Sequence, residues 1–228
     1  MTQYLGTATW PQLYHAAPRP LLVVPVGSCE QHGPHLPLDT DSRIAAALAE
    51  GLCGAFEPGQ VLLAPPLGIS ASGEHASFPG TLSLGNAVFE HVLIELVRSA
   101  DWSSGVVFVN GHAGNIVASR RAVRTLESEQ RRVLSWFPRL AESDAHAGDT
   151  ETSLMLAIAP ELVDMRVAEV GRTEPISQLI DELREGGVRA VSPNGVLGDP
   201  RRATAQHGKQ LLSRLTIDLI SAVDEWWT

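Results

Sequence analysis

Residues 21–41 read Leu-Leu-Val-Val-Pro-Val-Gly-Ser-Cys-Glu-Gln-His-Gly-Pro-His-Leu-Pro-Leu-Asp-Thr-Asp, and three kinds of local structure follow one another inside them. The apolar run 21–26, closed by Gly27, has the length and composition of a buried strand. Residues 28–38, rich in Pro, His and Gly, form a polar loop. Asp39-Thr40-Asp41-Ser42 then precedes Ile44, Ala45, Leu48 and Leu52. Short polar residues ahead of a helical apolar spacing mark a helix start, and Gly54 is its stop. Working outward, the pattern repeats. A second strand is predicted at 61–64, closed by Pro65 and Pro66, and a long loop at 65–85. A helix fits 86–100 through Val88, Val92, Leu93, Leu96 and Val97. A third strand, 106–109, runs into Asn110-Gly111-His112-Ala113-Gly114-Asn115 and a helix to about 130. A fourth strand is predicted at 132–137. Further helices fit 150–158, ended by Pro160; 175–185, stopped by Gly186 and Gly187; and 204–226, with Leu211, Leu212, Leu215, Leu219 and Val223 on one face. Strands alternating with helices predict an α/β fold with a mostly parallel sheet covered on both faces. No repeat or linker divides the chain, so residues 1–228 are expected to form a single domain. In such sheets, ligands sit beyond the carboxyl ends of the strands.

Composition narrows the function classes. The chain has 228 residues, 44% hydrophobic and 19% charged, with a net charge of −9, which is ordinary for a globular protein. A negative balance argues against a nucleic-acid partner, which normally meets a basic face. The one basic cluster, Arg120, Arg121, Arg124, Arg131 and Arg132, reads as the solvated side of a helix. No apolar string approaches the ~18 residues of a membrane span. The opening MTQYLGTATW lacks a basic then apolar leader, so no secretory signal is expected. Cys29 and Cys53 are too few for a disulfide framework and read as small buried residues in a reducing cytoplasm.

Three polar clusters fall where strands end or helices begin. In the first, Glu30 and His32 are two apart and can reach one point, to which Asp41 can return from the next helix. Carboxylate plus imidazole suits zinc, manganese or iron; the same residues also fit a solvated loop with Asp39 or Asp41 as a helix cap. The second is the glycine-rich turn 110–115. Its glycines would let the backbone cradle a phosphate, as in a non-catalytic nucleotide-binding module, but no G-x-G-x-x-G and no Lys-Ser/Thr pair support that, and His112 is better placed as a ligand or acid–base group. The third, residues 143–153, holds His146 and Glu151, and Glu151 would suit a helix start with no further role. Together the clusters supply three imidazoles and at least three carboxylates, the mixture a two-metal centre needs, with one carboxylate bridging ions about 3.5–4 Å apart. No G-x-S-x-G elbow points to a serine hydrolase. The loop 65–85 is expected to shape a substrate pocket, with Glu74 and His75 meeting polar groups of the substrate; an ordered surface Ω-loop is the plainer reading.

Four segments resemble the motifs of the creatininase (creatinine amidohydrolase) family, in the family's order. They are Val26–Asp41, Gly73–Thr81, Val109–Asn115 and His146–Ser153; residues 154–228 resemble it only loosely. The resemblance implies a three-layer α/β/α fold and a two-metal hydrolase of carbon–nitrogen bonds. Carried over by position, it implies Glu30, Asp41 and His112 on one ion, and His32, Asp41 and Glu151 on the other, with Asp41 bridging. The two divalent ions would be zinc or iron, or manganese, and His146 would be the acid–base residue. A homo-oligomer is implied as well. Creatinine-cleaving members carry a metal-binding Glu where Gly114 stands here, and a substrate-stacking Trp where Glu142 stands. Both departures point away from creatinine. The remaining branches act on formamides, or on a peptide: the mycofactocin precursor peptidase removes a C-terminal Val-Tyr dipeptide. The wording of the first two motifs is most similar to that peptidase branch.

Overall fold

The computed structural model describes residues 3–140 and 144–227. Four strands, β1 (Leu21–Val26), β2 (Val61–Leu63), β3 (Gly105–Asn110) and β4 (Val133–Trp136), form one parallel sheet in the order β2-β1-β3-β4. The helices among the described residues are α1 (Trp10–Tyr14), α2 (Thr40–Gly54), α3 (Gly85–Ser99), α4 (Ile116–Ser128), α5 (Asp149–Ile158), α6 (Ile176–Val191) and α7 (Ala205–Trp227).

Alternation along the strands explains the layering. Leu21, Val23, Val61, Leu63, Val107 and Val109 point to one face, against Ile44, Leu48 and Leu52 of α2, Met155 of α5 and Leu215, Leu219 and Val223 of α7. Leu22, Val24, Val26, Leu62, Val106 and Phe108 point to the other, against Phe89, Leu93 and Val97 of α3 and Ala118, Ala122 and Leu126 of α4. The result is the expected three-layer α/β/α arrangement, with both faces of the sheet sealed.

The elements read from periodicity stand where they are expected, within one or two residues at most ends. Three features differ. The first is α1, which apolar periodicity does not mark; its start is set by Thr9, whose N–H donates to Gln12 Oε1 at 2.7 Å, with Pro11 in the first turn. Second, α6 does not end at Gly186 and Gly187. Gly187 breaks helical geometry at φ 69°, but the chain turns helical again because Val188 and Val191 are buried, Val191 beside Leu179 and Leu197. Third, the expected long loop 65–85 is a strap with regular pieces that periodicity does not mark. Leu67, Ser70 and Leu82 form single bridges with Val26, Ser83 and Cys29, and Gly73–His75 is a 3-10 turn.

Arg120, Arg121 and Arg124 do line the exposed side of α4. Arg131 and Arg132 lie past its end: Arg131 pairs with Asp101 and Glu129, and Arg132 donates to the carbonyls of Trp226 and Trp227. Cys53 is buried, Cys29 is half-buried, and both are free thiols. No helix among the described residues is long and apolar enough to cross a membrane.

Candidate metal and hydrolytic centre

The carboxyl ends of β1 and β3, the first turns of α2 and α5, and the strap turn 73–75 meet at one buried pocket. Asp41 stands in the first turn of α2. It makes no cap hydrogen bond; its carboxylate turns inward and is 2% exposed. Oδ1 lies 3.1 Å from His32 Nε2, and Oδ2 lies 3.1 Å from His112 Nδ1 and accepts the Ser28 hydroxyl at 2.7 Å. Glu30 is fully buried, with Oε2 3.2 Å from His112 Nε2 and Oε1 3.2 Å from His75 Nε2. Glu151, on the first turn of α5, has Oε2 3.9 Å from His32 Nε2 and accepts the Ala147 N–H at 2.6 Å, so it serves the helix start and also faces the pocket. His146 Nδ1 is 3.9 Å from Glu30 Oε1, and its ring lies 4.4 Å from those of His32 and His75.

Asp39, the other cap candidate, makes no cap hydrogen bond either and pairs with Arg43 at 2.8 Å. Glu74 is one-third exposed at the mouth, with Oε1 3.5 Å from His112 Nε2. A Cβ at position 114 would overlap that oxygen, so the glycine there leaves room for the Glu74 carboxylate. His75, by contrast, is 3% exposed and lies beneath the mouth. The two residues expected at the substrate thus differ in access, Glu74 at the mouth and His75 beneath it. Glu142 lies outside the described residues.

The phosphate-cradle reading of the turn 110–115 fails on packing. A Cβ on Gly111 would stand 2.6 Å from the Asp41 carbonyl, so the turn is pressed against α2. Its polar groups are also satisfied internally: the Asn110 side chain accepts from the His112 N–H and from Asn115, and donates to the His112 carbonyl.

Electrostatics follow from the crowding. Burial pushes the Glu30 and Glu151 carboxyls up to about 7. Burial also opposes charge on His32 and His112, yet the facing carboxylates outweigh it and raise both to about 10. In turn these imidazoles overcome burial at Asp41 and hold it well below the usual carboxylate range. Burial and neighbouring imidazoles push His146 down, and His75 to about 3. The pocket thus gathers positive charge on His32 and His112 and keeps His75 and His146 neutral.

The donor set fits divalent cations. Both Glu30 oxygens are buried with no well-aligned hydrogen bond, a costly state for a carboxylate unless a cation completes it. Glu30, Asp41 and His112 form one triad whose ligand atoms lie within 4.8 Å of one another; His32, Asp41 and Glu151 form a second; Glu30, His32 and His146 form a third. The first two share Asp41. His32 Nδ1–H donates to the Glu30 carbonyl at 3.1 Å and His112 Nε2–H to the Ala71 carbonyl at 3.0 Å, so the nitrogen of each ring that faces Asp41 is the one that would give up its proton to bind an ion.

Fold and pocket together define an α/β/α hydrolase with its polar centre at the carboxyl edge of a parallel sheet. The chain belongs to the creatininase family, described as creatinine amidohydrolase, whose pattern matches residues 6–223. It is 46% identical over 227 residues to the mycofactocin precursor peptide peptidase of Mycolicibacterium smegmatis, covering 97% of this chain and 91% of that protein. To the creatinine amidohydrolase of Pseudomonas putida it is 26% identical over 255 residues, covering 97% and 96%. Among solved structures, a creatinine amidohydrolase (creatininase) superposes with a TM-score of 0.85 at 22% identity, covering 99% of this chain and 98% of that one; this likeness speaks to the fold.

Proposed function

We propose that this hydrolase is a two-metal peptidase that removes the C-terminal Val-Tyr dipeptide from the modified mycofactocin precursor peptide. The observation that carries the two-metal reading is the pair of triads joined at Asp41. The peptide reading is supported by the 46% likeness to mycofactocin precursor peptide peptidases, against 26% to a creatinine amidohydrolase. Zinc and manganese both occur in the names of solved creatininases, one a mutant of "Zn-Zn type" and another "Creatininase Mn". Iron, a cytoplasmic location and a homo-oligomer are carried as parts of the same proposal; two free thiols suit a reducing compartment.

Glu30, Asp41 and His112 would hold one ion, and His32, Asp41 and Glu151 the other. Bound divalent ions supply an activated water and polarise the scissile carbonyl. The chain's own residues do the rest. Glu74 and Glu151 are the partly exposed carboxylates of the pocket and mark the side from which a substrate enters. His146 is buried and neutral, with Nδ1 facing the pocket, so Nδ1 is the atom that takes a proton and returns it to the departing nitrogen. The burial of His146 itself shields that proton from bulk water.

The test is a mass-spectrometric assay of metal-reconstituted protein with the precursor peptide, creatinine and a formamide. The expected result is loss of Val-Tyr from the peptide and no turnover of the other two. Creatinine turnover with an intact peptide would overturn the substrate assignment.

A further inference from the structure

Gln31 lies between Glu30 and His32, and its amide can be fully accounted for. Oε1 accepts the Gly33 N–H at 2.9 Å, and Nε2 donates to the Gly195 carbonyl at 3.0 Å. A backbone N–H only donates and a carbonyl only accepts, so these two contacts fix which end of the amide is which. Gly195 has φ 81°, and a Cβ there would overlap the Gln31 amide oxygen, so a glycine is needed for this close approach. His146 Nε2 lies 2.8 Å from the Gln31 backbone carbonyl, which again only accepts. That nitrogen therefore carries the ring proton, and it cannot accept from the Gln31 amide 3.0 Å away. The second amide N–H goes to His75 Nδ1, at 2.9 Å. Since His75 Nδ1 accepts, its proton is on Nε2, the atom 3.2 Å from Glu30 Oε1.

We propose that Gln31 is a positioning residue that sets His146 and His75 in opposite roles. His146 presents a lone pair on Nδ1 to the pocket. His75 presents an N–H to the Glu30 carboxylate as a charge contact at 3.2 Å that leaves Oε1 without an aligned hydrogen bond, and it neither coordinates an ion nor exchanges a proton with substrate. His32, His112 and His146 each give one ring N–H to a backbone carbonyl; His75 differs because a side-chain amide, not a carbonyl, meets its Nδ1. The assignment deepens the metal-centre reading but depends on it only where metal affinity is measured.

Imidazole proton–nitrogen correlation spectra of the ¹⁵N-histidine-labelled, zinc-loaded protein test it directly, and the wild-type spectrum alone is decisive even if a variant fails to fold. The expected result is a protonated Nε2 on both His75 and His146. Gln31→Glu, whose carboxylate can only accept, should move the His75 proton to Nδ1 and weaken zinc binding about 10–100-fold, the usual effect of losing an outer partner. His75→Gln, which keeps an N–H donor for Glu30, should retain both zinc ions. A His75 proton on Nδ1 in the wild type, a tautomer unmoved by Gln31→Glu, or zinc lost from His75→Gln would each overturn the proposal. A wild-type protein that takes up no zinc would instead overturn the metal reading, and its tautomers would still decide the role of Gln31.

Discussion

At Asp41 one carboxylate meets two imidazoles through different oxygens, each at 3.1 Å. An amide there would keep one acceptor and replace the other with a donor aimed at a histidine. Asp41→Asn is therefore expected to lose bound metal and to abolish turnover, checked by elemental analysis and peptide cleavage on one preparation; wild-type turnover would contradict the bridging role. His146 makes a different prediction, because its Nδ1 is not needed by the two triads that share Asp41. His146→Ala should keep both ions and lower turnover by about 10²–10⁴, the usual worth of one acid–base group. Loss of metal with little specific loss of turnover would assign His146 to structure. Much of this was legible in the sequence: Glu30 and His32 share a direction by being two apart, and His112 stands just past the end of a strand. The orientation of His75 was not, since it is decided by Gln31 and, through Gly195, by a residue 164 positions further along.

The first turn of α5 carries Glu151, and what holds that turn is a contact between helices. Gly208 near the start of α7 packs so closely on α5 that a Cβ would overlap the Ser153 carbonyl. Gly208→Ala should force the helices apart and destabilise the protein by about 1–3 kcal/mol, as overpacking does. For a domain of this size that is a fall in Tm of roughly 2–12 °C by calorimetry; an unchanged Tm would mean the contact relaxes freely. Asp144 supports the same turn by accepting the N–H groups of Asp149 and Thr150. Helix faces such as Leu215, Leu219 and Val223 were readable from spacing. The run of α6 past Gly187 was not, because two adjacent glycines read as a stop, while burial of Val188 and Val191 is a tertiary effect. The α1 start was readable from Thr9 and Gln12, a short signal that apolar periodicity alone does not weigh.

Across the whole molecule, the sheet order follows from apolar runs whose alternate residues feed two cores, and this is why the layer arrangement was accessible from sequence. The pocket at its edge concentrates Glu30, Asp41 and Glu151, with Glu74 at the mouth, so cations bound there should stabilise the fold. With free metal at about 1,000 times its dissociation constant the gain is ~4 kcal/mol, or roughly 8–16 °C in Tm. Removing metal with a chelator and rescanning should reveal that fall, and zinc should restore it; a Tm indifferent to both would deny a buried metal centre. The central claim, two ions joined at Asp41 in a hydrolytic pocket, is tested most directly by elemental analysis of the purified, zinc-reconstituted protein. The account predicts two zinc ions per chain in the wild type and fewer in Asp41→Asn. A wild type that retains none, or an Asp41→Asn protein that retains two, would contradict it.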